Sequence, residues 1–200
     1  MLMQKQSKAK HASIMAVTAA LYAIFFMLSY MIGVPNFTLL YLPIILLGVF
    51  PLWFGWSGLA GSMIGALIGG VYVEGLPLYL AWVEITTAFV IYGLNWLLIP
   101  ELAAEAKTKK GLIMLSSIYA LTLFLGTAFI LWEFVAVGLF PPETAWAFLL
   151  PTFVLNLPIV IIACPTLIRA VSPKLKSWGM YFGNFAEWRN LRAKAQIKQQ

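Results

Sequence analysis

The sequence predicts an all-α integral membrane protein with six transmembrane helices in one bundle and both termini cytoplasmic. Three observations predict this. Hydrophobic residues make up 62% of the 200-residue chain and charged residues only 10%, more apolar surface than a soluble domain of this length hides. Six long apolar segments follow one another, and a spanning helix needs about 20 mostly apolar residues. Every Lys and Arg lies before the first segment, between the fourth and fifth, or after the sixth. Six crossings place all of them on one side, the cytoplasmic one; an odd number would divide them.

The first segment, 12–32, follows Lys5, Lys8 and Lys10 and ends at Gly33-Val34-Pro35-Asn36. It is long and has no small-residue cleavage site behind it, so it reads as a retained helix rather than a signal peptide. The second, 37–54, contains Pro43 and Pro51, which should bend it. The third, 57–73, carries Gly61, Gly65 and Gly69 at spacings of four after Gly58, a strip suited to tight packing inside the bundle. The fourth, 78–99, is closed by Pro100; the fifth is 112–137; the sixth, 144–168, contains Pro151 and Pro158. The chain thus divides into a basic N-terminus (1–11), a membrane domain (12–170) and a basic tail (171–200). In the tail, Trp178, Phe182, Phe185 and Trp188 recur near helical spacing among basic residues. That suits an amphipathic helix on the anionic inner leaflet, though Gly179 and Gly183 weaken the helix, and a partly disordered basic tail is the plainer reading.

The net charge of +6 follows from this topology, and nucleic acid is not an expected partner. The single cysteine, Cys164, excludes an internal disulfide and a Cys cluster and reads as a small packing residue. The one histidine, His11, sits at the basic end, away from any intramembrane protease or metal site, and the chain has no P-loop. No catalysis, metal or cofactor is expected.

Polar groups within the spans are the functional candidates, because a charge in lipid is costly unless paired, hydrated or used. Glu84, Thr87, Ile91 and Asn95 share one helical face, which should point inward. Tyr119, Thr122, Gly126 and Glu133 share another. Asn156 lies mid-way along the sixth segment, one turn below Thr152, where an interhelical hydrogen bond is the plainer role. Tyr72, Tyr79, Trp82, Trp132 and Trp146 fall at similar depth, as pocket walls or as an interfacial belt. No Lys or Arg in the spans neutralises the carboxylates. An acidic, aromatic pocket suits a small cationic or hydrogen-bond-donating ring compound. Ala12, Ala16 and Ala20 form a smooth strip on the first segment, for packing within the bundle or for docking a partner membrane protein.

The alanine strip Ala12-x-x-x-Ala16-x-x-x-Ala20, the junction Leu47-Gly48-Val49-Phe50-Pro51 to Gly55-Trp56-Ser57-Gly58-Leu59-Ala60-Gly61, and the six-span plan resemble the substrate-binding S components of energy-coupling factor (ECF) transporters. The resemblance covers roughly residues 12–170. It implies capture of a vitamin or related small heterocycle from outside, docking of the alanine strip on a transmembrane coupling (T) subunit, and reorientation driven by two ATPase subunits. It places substrate contacts at Glu84, Trp132, Glu133 and Asn156, with Thr87, Tyr79 and Trp82 beside them. The acidic and aromatic mix is similar to thiamin-type members, except that no pocket histidine is present. Two other classes remain open: a self-sufficient proton-coupled transporter using Glu84 or Glu133, which the absence of a visible inverted repeat counts against, and a membrane sensor or assembly domain, for which the tail is too short to supply an output domain.

Overall fold

The structure is a computed structural model that describes residues 8–32 and 40–190. Lys5, Arg192, Lys194 and Lys198, the break at 33–36 and the start of the second segment lie outside them. The described elements are helices: α1 (Lys8–Ile32), α2 (Ile44–Leu47), α3 (Phe50–Phe54), α4 (Trp56–Ile68), α5 (Ala81–Leu98), α6 (Glu101–Ala104), α7 (Lys109–Ala136) and α8 (Pro142–Ser177). A π-helical turn, Gly69–Val73, extends α4, and a 3-10 turn, Leu78–Leu80, leads into α5. Five helices are long and apolar enough to cross a bilayer: α1, α4 with its π turn, α5 with its 3-10 turn, α7 and α8. Their outward faces carry large apolar side chains, among them Val17, Ile24 and Met31 on α1 and Leu150, Val154 and Ile162 on α8. The chain is a multi-pass, all-α membrane protein, because only lipid accommodates such a girdle.

Neighbouring helices pack in the order α1–α4–α5–α7–α8. The glycine strip sets the first contact. A Cβ on Gly61 would overlap the Thr18 side chain, one on Gly65 would lie 2.5 Å from Tyr22 Cβ, and one on Gly69 2.5 Å from the Phe26 ring. Bare backbone at these positions lets α1 lie directly on α4. Thr18, Tyr22, Phe26 and Ser29 form the buried face of α1, while Ala12, Ala16 and Ala20 lie exposed on another. Between α5 and α7 the two predicted polar faces meet. Thr122 Oγ1 donates to Asn95 Oδ1 (2.6 Å), and Thr86 and Thr87 each donate to Glu133 (2.5 Å).

The second predicted span departs from a helix. Over residues 41–54 it is two short helices separated by a turn at Gly48 and Val49, and it runs through the interior against α8 and α5. Non-helical backbone survives at membrane depth only where protein satisfies its polar groups, and here side chains do so. Asn156 Oδ1 accepts from the Tyr41 N–H (2.7 Å) and Ser29 Oγ from the Leu42 N–H (2.7 Å). The hydroxyls of Tyr92 and Tyr119 donate to the carbonyls of Pro43 (3.1 Å) and Gly48 (3.0 Å). Cys164, expected only to pack, donates its thiol to the Ile45 carbonyl at 3.3 Å. Ser172 accepts from the Trp53 indole (2.9 Å). Asn156, Cys164 and Ser172 are spaced by eight on α8 and form one polar edge facing this segment.

Gly55 joins α3 to α4 at φ +56° and ψ −135°, a conformation that side chains avoid. The Thr108 hydroxyl caps α7 by accepting from the Gly111 N–H at 3.0 Å. Helix α8 has 36 residues, roughly 54 Å at 1.5 Å per residue, so its last turns project beyond the bilayer core. There Lys176 pairs with Glu105, Lys107 pairs with the same carboxylate at 2.5 Å, and Arg169 Nε donates to the Ala106 carbonyl at 2.5 Å. The two ammonium groups hold the Glu105 carboxyl below its usual range.

The described part of the tail packs against the bundle. The chain reverses at Gly179 (φ +65°) and returns beneath the bundle. The Phe182 and Gly183 N–H groups donate to the carbonyls of Trp53 (3.1 Å) and Leu52 (3.0 Å), which α3 leaves open at its C-terminus. The Trp96 indole donates to the Gly183 carbonyl at 3.0 Å. Asn184 and Glu187 cap each other's N–H groups at 2.8 and 2.9 Å, a capping box that opens a helix at 185. Phe185 and Trp188 then pack on Trp96. The predicted aromatics thus seal the basic end, except Trp178, which stays exposed beside Lys174.

Candidate ligand-binding cavity

A cavity of about 330 Å³ lies at the end of the bundle opposite the basic residues. Pockets for small organic ligands begin near this size, about 300 Å³. Helices α1, α5, α7 and α8 and the broken segment contribute. Helix α1 supplies Tyr22 and Phe26, the broken segment Tyr41 and Ile44, α5 Glu84 through Tyr92, α7 Leu123 through Phe134, and α8 Thr152 and Asn156. The loop 74–77 and the Leu139-Phe140 turn border its outer end.

Glu84 sits in the first turn of α5 and is only 3% exposed. Gly70 makes room for it, since a Cβ there would lie 2.5 Å from Glu84 Cγ. The π turn matters here: it carries Gly69 and Gly70 on successive positions, one receiving Phe26 and the other Glu84. The Glu84 carboxyl lines the cavity and makes no hydrogen bond to a described residue. Glu74 and Glu133 are within its electrostatic reach.

Three tyrosines, Tyr22, Tyr41 and Tyr92, also line the cavity. Tyr22 and Tyr41 pair through their hydroxyls. The Tyr22 ring lies 5.9 Å from that of Tyr92, and the Phe26 and Tyr41 rings meet edge to face at 5.6 Å.

No family model, characterised protein or solved structure matches the chain. The site is therefore read from its own chemistry.

Of the predicted contacts, Glu84, Thr87 and Asn156 line the cavity. Asn156 is also the anchor of the broken segment, with Nδ2 donating to the Thr152 carbonyl at 2.7 Å and Oδ1 accepting from Tyr41. Glu133 is 1% exposed and stands behind the wall, accepting from Thr86 and Thr87. Its place is to hold α5 against α7, and it does not line the cavity. Trp132, Tyr79 and Trp82 are 62%, 77% and 45% exposed and point away from it. The helical turn explains this: Trp82 lies two residues, about 200°, from Glu84 and so on the opposite face. These rings match the interfacial belt. Trp132 instead borders a second, apolar pocket of about 310 Å³ between the ends of α7 and α8, with Trp146.

Sequence reading missed Tyr22, Tyr41, Tyr92 and Thr127 as wall residues, while Thr152, noted one turn from Asn156, also lines the cavity. A signal existed for Tyr22, since Thr18, Tyr22 and Ser29 share one helical face away from the alanine strip. Thr152 Oγ1 is buried and has no hydrogen-bond partner among the described residues. An unpaired buried hydroxyl costs about 1–3 kcal/mol. Thr152→Val keeps the shape and removes that cost, so it should raise the unfolding temperature of the empty protein by about 2–4 °C per kcal/mol recovered. A lowered midpoint in a thermal melt would show that the hydroxyl has a structural partner.

Proposed function

We propose that this protein is the membrane-embedded substrate-capture subunit of an ECF-type transporter. It binds a vitamin or related small heterocycle from outside the cell, for ATP-driven uptake by partner subunits. The observation that carries the reading is the Glu84 carboxyl, buried in an aromatic-walled cavity with no described partner. A protein bears the desolvation of such a group where a ligand completes it. The chain contributes recognition, and the energy comes from a transmembrane coupling subunit and two ATPase subunits.

The topology supports this placement. Contacts of the broken segment advance from Asn156 to Ser172 along α8 as the chain moves from Tyr41 to Trp53. Sixteen residues of helix span roughly 24 Å, so this segment acts as the sixth crossing. Both termini then lie with the basic residues on the cytoplasmic side of the cell membrane, and the cavity faces outward. The exposed strip of Ala12, Ala16 and Ala20 is free of the bundle and suits docking on the coupling subunit.

Ala16→Phe tests the docking role. It should leave ligand affinity unchanged in the purified chain and abolish uptake in cells that carry the partner subunits. Loss of binding as well would make Ala16 a folding residue. The two buried carboxyls, Glu84 and Glu133, favour a proton-coupled transporter as the second reading. Uptake by the chain alone in vesicles, driven by a pH gradient without ATP, would establish that alternative.

A further inference from the structure

We infer that the cavity selects heteroaromatic amines, ligands that donate hydrogen bonds and carry positive charge, and rejects carboxylates and phosphates of the same size. This rests on the capture reading above and names its substrate class. The argument is a count of donors and acceptors.

Most side-chain donors of the described wall are already engaged, and in the Tyr22–Tyr41 pair one hydroxyl donates to the other. Thr87 Oγ1 donates to Glu133 Oε2 at 2.5 Å and Thr127 Oγ1 to the Leu123 carbonyl at 2.8 Å. The Tyr92 hydroxyl donates to the Pro43 carbonyl at 3.1 Å, and Asn156 Nδ2 to the Thr152 carbonyl at 2.7 Å. A hydroxyl that has donated keeps its lone pairs and presents an acceptor. Glu84 adds a carboxyl with no described partner. Among the described lining residues there is no Lys, Arg or His, while Glu74 and Glu84 are both present.

A ligand in this space therefore meets acceptors. An N–H-bearing cation completes them and gains a charge-assisted bond to Glu84. The faces of Tyr22 and Phe26 favour the same sign of charge. An anion would set its oxygens against a carboxyl and against spent hydroxyls, with no counter-charge in reach. The Thr152 hydroxyl, without a hydrogen-bond partner among the described residues, and the second hydroxyl of the Tyr22–Tyr41 pair are the few donors left for an acceptor on the ligand.

The test uses the full chain purified in detergent and three ring scaffolds: pyridine, pyrimidine and indole. Each is offered as its aminomethyl, carboxamide and carboxylate derivative, and binding is read by calorimetry and thermal shift. On any ring that binds, the aminomethyl form should bind at least ~10-fold more tightly than the carboxylate, the value of one charge-assisted contact. Glu84→Gln should remove most of that preference; the wild-type order decides the matter on its own if the variant misfolds. A carboxylate that binds as tightly as its amine overturns the inference and leaves the capture reading standing. Binding by none of the forms, with the protein folded, overturns the capture reading and the inference with it.

Discussion

Glu84→Gln is expected to weaken binding of the tightest heteroaromatic amine by about 10- to 100-fold, the loss of one hydrogen bond to a charged group. The substitution keeps the shape of the side chain beside Gly70 and removes its capacity for charge. Because Glu84 holds no described residue in place, no structural bond is broken. The unfolding temperature of the empty variant should match or exceed that of the wild type, since a neutral amide is cheaper to bury than a carboxylate. Calorimetry on the folded variant checks the first statement and a thermal melt the second. Unchanged affinity would remove Glu84 from the site. Lost affinity together with a collapsed melt would make it a structural residue.

Gly65→Leu should have the largest effect on the fold. Its Cβ would lie 2.5 Å from Tyr22 Cβ and 2.8 Å from the Ala19 carbonyl oxygen. Both are at or next to the α1 backbone, so no flexible side-chain end can yield. Helix α1 must then separate from α4, and overpacking of this kind costs about 3 kcal/mol or more. Tyr22 moves with α1, so the cavity loses a wall and ligand binding fails with stability. Gly93 supplies the control: a Cβ there meets nothing within 4 Å. Gly93→Ala should be neutral or stabilising by up to about 1 kcal/mol, the helix-propensity difference. Size-exclusion profiles and melts of the two variants in detergent separate the cases. A well-folded Gly65→Leu protein would contradict the packing described for α1 and α4.

The long helices were legible because each is an uninterrupted apolar run of bilayer length. The inward faces of α5 and α7 were legible for a related reason: Thr87, Asn95, Thr122 and Glu133 are costly in lipid and recur at helical spacing. The second span was only half legible. Pro43 and Pro51 announced a bend, but the break at Gly48 depends on partners up to about 120 residues away, including Tyr119 and Cys164. Nothing local to 41–54 records them. The packing of the tail was illegible for the same reason, since the Phe182 and Gly183 N–H groups answer open carbonyls at Trp53 and Leu52 that only the folded chain brings near.

At the site, depth in the bundle does not by itself put a residue on the cavity wall. Trp82, Tyr79 and Trp132 share the depth of Glu84 but lie on outward faces or in a turn. Glu133 has the right depth and the right face, yet two threonines of the neighbouring helix take both of its oxygens. Tyrosines 22, 41 and 92 escaped notice because aromatic rings in membrane helices are normally read as belts or packing, and only their convergence on one cavity gives them a role.

The central claim is that this chain alone captures a small molecule. Native mass spectrometry of the gently purified protein, before and after incubation with a deproteinised small-molecule extract of cells, tests it most directly. The account predicts one small heterocycle per chain, retained by the wild type and lost in Glu84→Gln. A folded wild-type protein that stays empty in both conditions would contradict it.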